Sequence, residues 1–404
     1  MSIQSQSPLS PTGEEKEYGK ASPTFSLLLS PLEAHLPYLT PLTSRCNKPM
    51  TYTFDHQVRG LVYYHIEAFS SAQDLLQAAG CDGLVNRLLV PTSGLGESTF
   101  YEANATRGEK QMFELFTRLS KTAAKQVGLA LPRHRGLIAI DGSFIDACLS
   151  MTWADYSRSK RKAKLHFGFD LNGAIPRKIF LSDGKADERP FVSLLLEKGQ
   201  TGVMDRGYQE HARFDAWINQ DKHFVVRVKK NIQYRILERL AFQPRAYQPR
   251  GEATISFFAK VLLGDENHRM THPVFLVGFS ACGKSYWVVT DRDDLSAEEI
   301  AFIYSLRWKI EIFFAWWKKH LKVYHLISRS PHGVLIQLLA GLITYLLLVI
   351  YFHQRYDDKP CVTYLRQLRW NIRHEAQANA PIHIHIYVVW CRLSLCYQHK
   401  DLRL

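Results

Sequence analysis

Four polar residues recur at helical spacing in the stretch 304–318, which reads YSLRWKIEIFFAWWK. At about 100° per residue, the residues that share one stripe of such a helix are Tyr304, Arg307, Glu311 and Lys318. The adjacent stripe is apolar and suits docking on a core. A carboxylate between two cations and a phenol could hold a metal ion while the cations bind phosphates of a nucleic-acid strand. The alternative is a solvent-exposed face with an ordinary i,i+4 Arg–Glu pair.

Two upstream aspartates stand where predicted strands end. Asp141 follows the apolar residues of LIAIDGS, and Asp205 follows those of TGVMDRGY. Because turn-forming residues come next in both cases, each aspartate could also simply begin a turn. Phosphodiester chemistry requires stabilised attacking and leaving oxygens, which two divalent cations roughly 3.5–4 Å apart provide. Carboxylates suit Mg²⁺, so these aspartates and Glu311 are candidates for a catalytic metal site at one edge of a sheet.

Three motifs resemble those of one transposase family. The spacing Tyr-x2-Arg-x3-Glu-x6-Lys resembles the Y-R-E-K signature of the IS-four family of bacterial insertion-sequence transposases. IAIDGS resembles the first-aspartate strand of that family, and MDRGY resembles its second-aspartate motif, with Gly207 and Tyr208 as the small and aromatic residues. The resemblance covers the segment from about 130 to 350. It implies a DDE enzyme on a ribonuclease-H-like fold.

The resemblance also implies a reaction and its cofactor. Asp141, Asp205 and Glu311 would be the catalytic residues and the ligands of two Mg²⁺ ions, which Mn²⁺ could replace. Metal-dependent nicking would free a 3′-OH at the end of the element, and that 3′-OH would attack target DNA, as in cut-and-paste transposition. The implied partners are double-stranded DNA, at terminal inverted repeats and in the target, and a second protomer in a dimeric synaptic complex. Two alternatives stay open: a nuclease of the same fold without strand transfer, and an inactive DNA-binding relic.

The candidates for contact with DNA are Tyr304, Arg307, Lys318, Trp287, Arg227, Lys229 and Lys230. By resemblance, the first three hold a strand at the transposon end, where arginine chelates a phosphate and lysine meets one as a point charge. Trp287 resembles a tryptophan that stacks on a flipped base in some relatives, although a tryptophan on an alternating strand is also typical of a core. The basic residues of FVVRVKKN, with the cluster SKRKAK at 159–164, are predicted to contact phosphates. A solvated basic face is the alternative.

The charge of the 404-residue chain indicates a polyanionic partner. It has 51 Lys+Arg against 38 Asp+Glu and a formal net charge of +13, and nucleic acid is the usual partner of such proteins. The charge alone does not distinguish DNA from RNA or an anionic membrane. Seven scattered cysteines without a C-x-x-C pair argue against a disulfide framework and a zinc ribbon. We therefore expect a cytoplasmic protein associated with the nucleoid.

The apolar run 334–352, VLIQLLAGLITYLLLVIYF, is long enough to span a membrane. It is solitary, contains Gln337, Gly341 and Thr344, and closely follows the charged stretch. We therefore expect a buried core helix and no membrane partner.

The element order between residues 137 and 231 is predicted as βββαβαβ, the plan of a ribonuclease-H-like mixed sheet. The predicted fold class is α/β, with a ribonuclease-H-like mixed-sheet catalytic core, an all-β insertion and an N-terminal helical domain. The stretch VPTSGLGESTFYEANATRG could be a helix-turn-helix that reads DNA or an ordinary helical connector. The predicted segments are a disordered tail (1–24), a helical DNA-binding domain (25–131), the catalytic core (132–231 and 284–352), the β-strand insertion (232–283) and a basic C-terminal segment (353–404).

Overall fold

The computed structural model describes residues 22–43, 49–81, 84–86, 90–91, 94–157, 159–249, 251–265 and 269–378. The chain divides into two compact units, one from Met1–Leu119 with Lys319–Leu404 and the other from Ser120–Lys318. The predicted tail, up to residue 21, and the predicted basic segment, after residue 378, lie outside the described residues. The boundaries of the predicted segments stay a prediction.

Among the described residues, the helices are α1 (Pro23–Glu33), α2 (Phe54–Glu67), α3 (Ala72–Cys81), α4 (Glu97–Thr106), α5 (Glu109–Val127), α6 (Val192–Leu195), α7 (His211–Asn219), α8 (Ala297–Leu306), α9 (Trp308–Leu321), α10 (Pro331–Tyr356) and α11 (Val362–Ala378). The strands are β1 (Leu137–Ala147), β2 (Asp155–Ser157), β3 (Lys160–Asp170), β4 (Ile175–Asp183), β5 (Thr201–Met204), β6 (His223–Arg227), β7 (Tyr234–Arg239), β8 (Arg245–Gln248), β9 (Gly251–Leu263), β10 (Val274–Ala281) and β11 (Lys284–Thr290). Short 3₁₀ turns lie at Leu36–Tyr38, Arg189–Phe191 and Arg206–Tyr208.

The first unit is built around α10. The side chain of Ser330 caps this helix by accepting a hydrogen bond from the Gly333 amide, and Pro331 occupies the first turn, where its missing N–H is tolerated. In the part of the chain that the structure describes, α10 alone has the length and mean hydropathy (2.4) of a membrane span, and 94% of that window is buried inside the protein. Because α1, α2 and α4 pack around it, its apolar circumference faces protein. The prediction of a buried core helix is confirmed.

The second unit contains one mixed sheet. The strand order is β2-β3-β1-β5-β6-β11-β10-β9-β7, with β4 paired to β3 and β8 paired to β9. β5 pairs in parallel with β1 and with β6, while β1 and β3 are antiparallel. The central strand β5 is buried along its whole length, as expected for a strand covered on both faces. The predicted mixed α/β architecture is confirmed, and the predicted element order is followed, with β2 as an additional short strand.

The strands predicted for the insertion belong to this same sheet. β11 pairs with β6, and β10 and β9 continue the sheet from β11 through antiparallel pairing. The segment therefore lies in the same compact unit as the strands that carry the aspartates. Its assignment as an insertion between the last core strand and the glutamate helix stays a prediction.

Two helical predictions differ from the structure. The first helix of the predicted βββαβαβ order, expected at 186–199, is reduced to a 3₁₀ turn and the single turn α6. Pro190 has no backbone N–H and so cannot donate a hydrogen bond within a helix that began at 186. The backbone is already extended at Leu196, which ends the helix early. The single helix predicted through 304–318 is also wrong, because α8 ends at Leu306 and α9 begins at Trp308.

The junction between α8 and α9 is a tightened turn at Arg307. The Arg307 amide donates to the Tyr304 carbonyl at 3.1 Å, and the Ile310 amide donates to the Arg307 carbonyl at 3.2 Å. Both hydrogen bonds reach back three residues, as in a 3₁₀ helix, and not four. Tyr304 and Glu311 therefore lie on two successive helices with Arg307 at their junction.

Candidate active site

β1 carries Asp141 on the sheet face that α9 covers. Directly opposite residues of an antiparallel pair point to the same face, and Asp141 is paired with Phe167 of β3. The Phe167 ring centre lies 5.4 Å from that of Phe313 and 5.3 Å from that of Phe314, both on α9. These aromatic contacts hold α9 against the sheet. They position the helix that carries Glu311 on the side of Asp141.

Parallel pairing brings Asp205 beside Asp141. Ala139 of β1 lies opposite Val203 of β5, so the two aspartates are neighbours two residues further along their strands. Asp205 directly follows β5, and its Oδ1 accepts a hydrogen bond from the Gly207 amide at 2.7 Å. β1 continues well past Asp141. Asp141 therefore lies within its strand, whereas the sequence predicts it at the end.

Arg307 bridges two of the predicted catalytic carboxylates. Its Nη1 lies 3.6 Å from Asp141 Oδ2, and its Nη2 donates a short hydrogen bond to Glu311 Oε1. The Arg307 side chain is only 15% exposed, so solvent screens these contacts weakly. Burial raises the pKa of the neighbouring Tyr304, while the Arg307 charge opposes that rise. The predicted residues that the structure brings together are Asp141, Asp205, Tyr304, Arg307 and Glu311.

Negative charge accumulates around Asp141. Its pKa is raised to about 7, chiefly by burial of the carboxyl group. The charges of Asp205 and Glu188 also raise this pKa, and Arg307 lowers it. The net rise in pKa shows that burial of the carboxyl group outweighs the opposing charge of Arg307. A divalent cation bound here would favour the ionised form of Asp141.

The three predicted carboxylates fit a hard divalent cation by their chemistry. Asp141, Asp205 and Glu311 offer oxygen ligands, which Mg²⁺ and Mn²⁺ prefer. Within the described residues, no group of three or more His, Cys, Asp or Glu side chains is placed to hold a metal ion. Arg307 engages Oε1 of the Glu311 carboxylate, so the guanidinium and a metal ion would compete for this ligand.

Arg227 lies close to this group of residues. Its guanidinium carbon is 4.9 Å from the ring centre of Tyr286, and the Tyr286 ring centre is 5.9 Å from that of Tyr304. Lys229 and Lys230 follow β6 and are exposed. Arg227 therefore contacts Tyr286, which in turn contacts Tyr304 beside the predicted carboxylates. The two lysines lie on the surface beyond the strand.

Lys318 lies over the later part of β1. Its Nζ donates a hydrogen bond to the Phe144 carbonyl at 2.6 Å, three residues after Asp141. Burial lowers the pKa of Lys318, and the nearby Asp146 carboxylate opposes that change. Lys318 is therefore held against the strand that carries the first aspartate and not in the Arg307 pair.

Trp287 lies on the opposite face of the sheet from Tyr286, because successive residues of a strand alternate. Its ring centre is 5.4 Å from that of Phe257. Trp287 packs against a core cluster that includes Ile140. Ile140 directly precedes Asp141, so its side chain points to the opposite face of β1. The structure does not bring Trp287 together with the predicted carboxylates.

Two residues beside the site are not predicted from the sequence. Tyr286 precedes Trp287, and the alternation of β11 does not reveal which of the two faces α8. Glu188 lies in the loop after β4, close in sequence to Asp183 at the end of that strand and to Asp187, and nothing in the sequence distinguishes it from those two acids. Both residues are recognised only from their contacts in the folded chain.

Comparisons with known proteins bear on this site. The sequence profile of the family described as "Transposase DDE domain" matches residues 132–347, just over half of the chain. The "Probable transposase for insertion sequence element IS5377" of Geobacillus stearothermophilus is 31% identical over 201 residues, which are 49% of this chain and 52% of that relative. The "Putative transposase y4zB" of Sinorhizobium fredii is 27% identical over 262 residues (63% and 71%). The "Putative transposase for insertion sequence element IS4SA" of Synechocystis is 24% identical over 262 residues (62% and 70%).

A mixed α/β sheet with two adjacent aspartates and a glutamate on the covering helix lies within the matched segment. The chain belongs to the transposase DDE-domain family, as its motifs predict. DDE transposase domains generally use divalent metal ions. The narrower assignment to the IS-four family stays a prediction. Because the chain spans about half the length of the first of these relatives, the activity, substrates and partners of the whole protein are proposals.

Proposed function

We propose that this protein is an insertion-sequence transposase of the IS-four type. It cleaves DNA at the ends of its element and joins the freed 3′-OH to target DNA, as in cut-and-paste transposition. The observation that supports this proposal best is that Arg307 contacts both Asp141 and Glu311, while Asp205 lies close enough to Asp141 to raise its pKa.

Asp141, Asp205 and Glu311 are the proposed catalytic residues and ligands of two Mg²⁺ ions, with Mn²⁺ as a substitute. The bound ions would stabilise the attacking and leaving oxygens of the phosphodiester. The chain itself orients the ligands. The Gly142 amide donates to Asp141 Oδ1 at 2.9 Å, and the Gly207 amide fixes Asp205 in the same way.

The proposed DNA contacts surround these carboxylates. Arg307 and Tyr304 would hold a phosphate of the cleaved strand, with Arg227 nearby. Lys318, Lys229 and Lys230 would meet phosphates further along the duplex. Base stacking by Trp287 stays a prediction, and it requires the indole to leave its contact with Phe257.

The wider proposal concerns partners and location. The helical segment 25–131 would bind the terminal inverted repeats, and two protomers would pair two element ends in a synaptic dimer. The protein would act in the cytoplasm on nucleoid DNA. The net charge of +13 supports a polyanionic partner.

The test of this function uses a labelled duplex that carries the element's own end with flanking DNA, together with a second, unlabelled duplex. With Mg²⁺, we expect the wild-type protein to nick the labelled duplex at the element end and to join that strand to the second duplex. Removal of the metal with EDTA should abolish both steps, and added Mn²⁺ should restore them. Nicking without joining would indicate the nuclease alternative. Neither reaction, with DNA binding retained, would indicate the relic.

Arg307→Gln is expected to raise the affinity of the metal-free protein for Mn²⁺ by about tenfold. The variant removes the cation that engages Glu311 and Asp141, and so removes a competitor of the metal. The measurement is an Mn²⁺ titration followed by electron paramagnetic resonance without DNA. It is made at pH 8, above the Asp141 pKa of about 7, so that protonation of that carboxyl does not compete.

The matched control is Lys319→Gln, which removes the same charge from an exposed position of α9. It should leave the Mn²⁺ affinity within twofold of wild type. If Arg307→Gln left the affinity unchanged as well, Arg307 would not compete with the metal for these carboxylates.

A further inference from the structure

Glu188 lies between the motifs that carry the two predicted catalytic aspartates. Its Oε2 accepts a hydrogen bond from the Tyr208 hydroxyl at 2.8 Å, and its Oε1 is 3.2 Å from Lys164 Nζ. The Glu188 side chain is 29% exposed. The carboxylate is therefore fixed from two sides, by a phenol and by a cation.

The same carboxylate lies directly against the backbone beside Asp141. A Cβ added to Gly142 would be 2.6 Å from Glu188 Oε1 and 2.8 Å from Oε2, which is closer than atoms pack. Glycine at this position therefore allows the Glu188 carboxylate to approach β1. Because the Gly142 amide donates to Asp141 Oδ1, a shift of the backbone at Gly142 would move the hydrogen bond that orients Asp141.

Tyr208 connects Glu188 to the second aspartate. Tyr208 is 2% exposed, and a buried hydroxyl without a hydrogen bond would destabilise the fold. It ends the 3₁₀ turn that begins after Asp205, and the Gly207 amide of this turn donates to Asp205 Oδ1. The hydrogen bond to Glu188 thus fixes the turn on which Asp205 depends.

Lys164 neutralises the charge of Glu188. It is 8% exposed, and its Nζ also donates to the Ala186 carbonyl at 2.9 Å and lies 5.2 Å from the Phe144 ring centre. Lys164 belongs to the basic cluster 159–164 for which phosphate contacts are predicted. In the structure its ammonium group is used inside the protein, which leaves the phosphate role to other residues of that cluster.

We propose that Glu188 is a positioning residue that holds Asp141 and Asp205 in a fixed mutual arrangement. Its carboxylate lies against the backbone next to Asp141, accepts the hydrogen bond of Tyr208 in the turn that follows Asp205, and is paired with Lys164. This inference rests on the proposed function, in which the two aspartates act together as ligands. Glu188 acts through its neighbours and does not contact DNA.

The test compares Glu188→Gln, Tyr208→Phe and the double variant. Each single variant should weaken Mn²⁺ binding to the DNA-free protein about 10-fold or more. Each should also lower kcat for DNA cleavage about 10- to 100-fold and leave KM for DNA within twofold of wild type. Losses of this size are expected when a residue that supports a metal ligand is removed. The double variant should be no worse than the stronger single variant, because both changes act on one hydrogen bond: glutamine offers a weaker, neutral acceptor and phenylalanine removes the donor. The control is Asp187→Asn in the same loop, whose carboxylate binds Arg189, and it should leave both quantities within twofold.

Three outcomes would overturn the proposal. If Glu188→Gln lowered only the midpoint of thermal unfolding and left Mn²⁺ affinity and kcat unchanged, Glu188 would merely stabilise the fold. A change confined to KM would make it a DNA contact, and full additivity of the two variants would separate Glu188 from Tyr208.

If Glu188→Gln did not fold, Gly142→Ala would displace the same carboxylate from the other side and should weaken Mn²⁺ binding similarly. Failure of the wild-type protein to cleave DNA would reject the proposed function, whereas the Mn²⁺ titrations would still test the role of Glu188.

Discussion

Glu311→Gln is expected to lower the rate of cleavage at element ends by about 10³-fold, while DNA binding stays within a few-fold of wild type. Glutamine keeps the size of the side chain and loses the charge that a divalent cation requires. The same change removes the ionic partner of Arg307. The guanidinium is then freer to bind a phosphate, so binding should not weaken. The measurements are single-turnover cleavage and an electrophoretic binding assay on the same labelled duplex.

The control is Glu197→Gln, which removes an exposed carboxylate that pairs with Lys178 at the surface. It should cleave within twofold of wild type, because exposed ion pairs contribute little. Equal cleavage by wild type and Glu311→Gln would exclude Glu311 as a catalytic ligand. Helix α9 would then serve DNA binding or packing alone.

The positions of the aspartates could be predicted because their signals are local. A short apolar run followed by an acid and a glycine predicts a strand and a turn, and both occur at Asp205. At Asp141 the strand continues, since the residues after it pair with β3 along nearly the whole of β1. That pairing depends on another strand, and a single stretch of sequence does not contain it.

The junction at Arg307 could not be predicted from the pattern of apolar residues. Helical periodicity is preserved on both sides of it, and two hydrogen bonds that reach back three residues change the path without changing that pattern. The pairing of Arg307 with Asp141 depends on how α9 packs on the sheet. The i,i+4 pair of Arg307 with Glu311, by contrast, is the alternative that the sequence itself offers to a metal site.

Glu188 illustrates a second limit of sequence reasoning. Its partners, Tyr208 and Lys164, come from different elements, and the contact with Gly142 involves backbone atoms. The sequence also does not indicate whether Tyr286 or Trp287 lies beside the site, because adjacent residues of a strand point to opposite faces of the sheet. The packing of the helices decides which face belongs to the site.

Asp141→Asn is expected to abolish cleavage and, in the same protein, to stabilise the metal-free fold at pH 8. The folded state holds a proton on Asp141 up to a pKa of about 7, whereas an ordinary aspartate ionises near 3.8. This group therefore contributes stability that is fully present below 3.8 and is lost as pH rises through 7. Above pH 7 the buried charge is a penalty, which asparagine removes. We expect a gain of about 1–3 kcal/mol, measured by denaturant unfolding in EDTA.

The pH dependence of this gain identifies its cause. The difference between Asp141→Asn and wild type should shrink from pH 8 to pH 4, because protonation removes the charge from the wild-type side chain as well. Asp146→Asn, on the same strand with its side chain 88% exposed, should show no such difference. A gain that was equal at both pH values would point to packing, and a loss of stability at pH 8 would show that Arg307 already compensates the Asp141 charge. Loss of cleavage together with a pH-dependent gain in stability would instead indicate that the Asp141 carboxylate destabilises the metal-free fold and is present because a cation binds there.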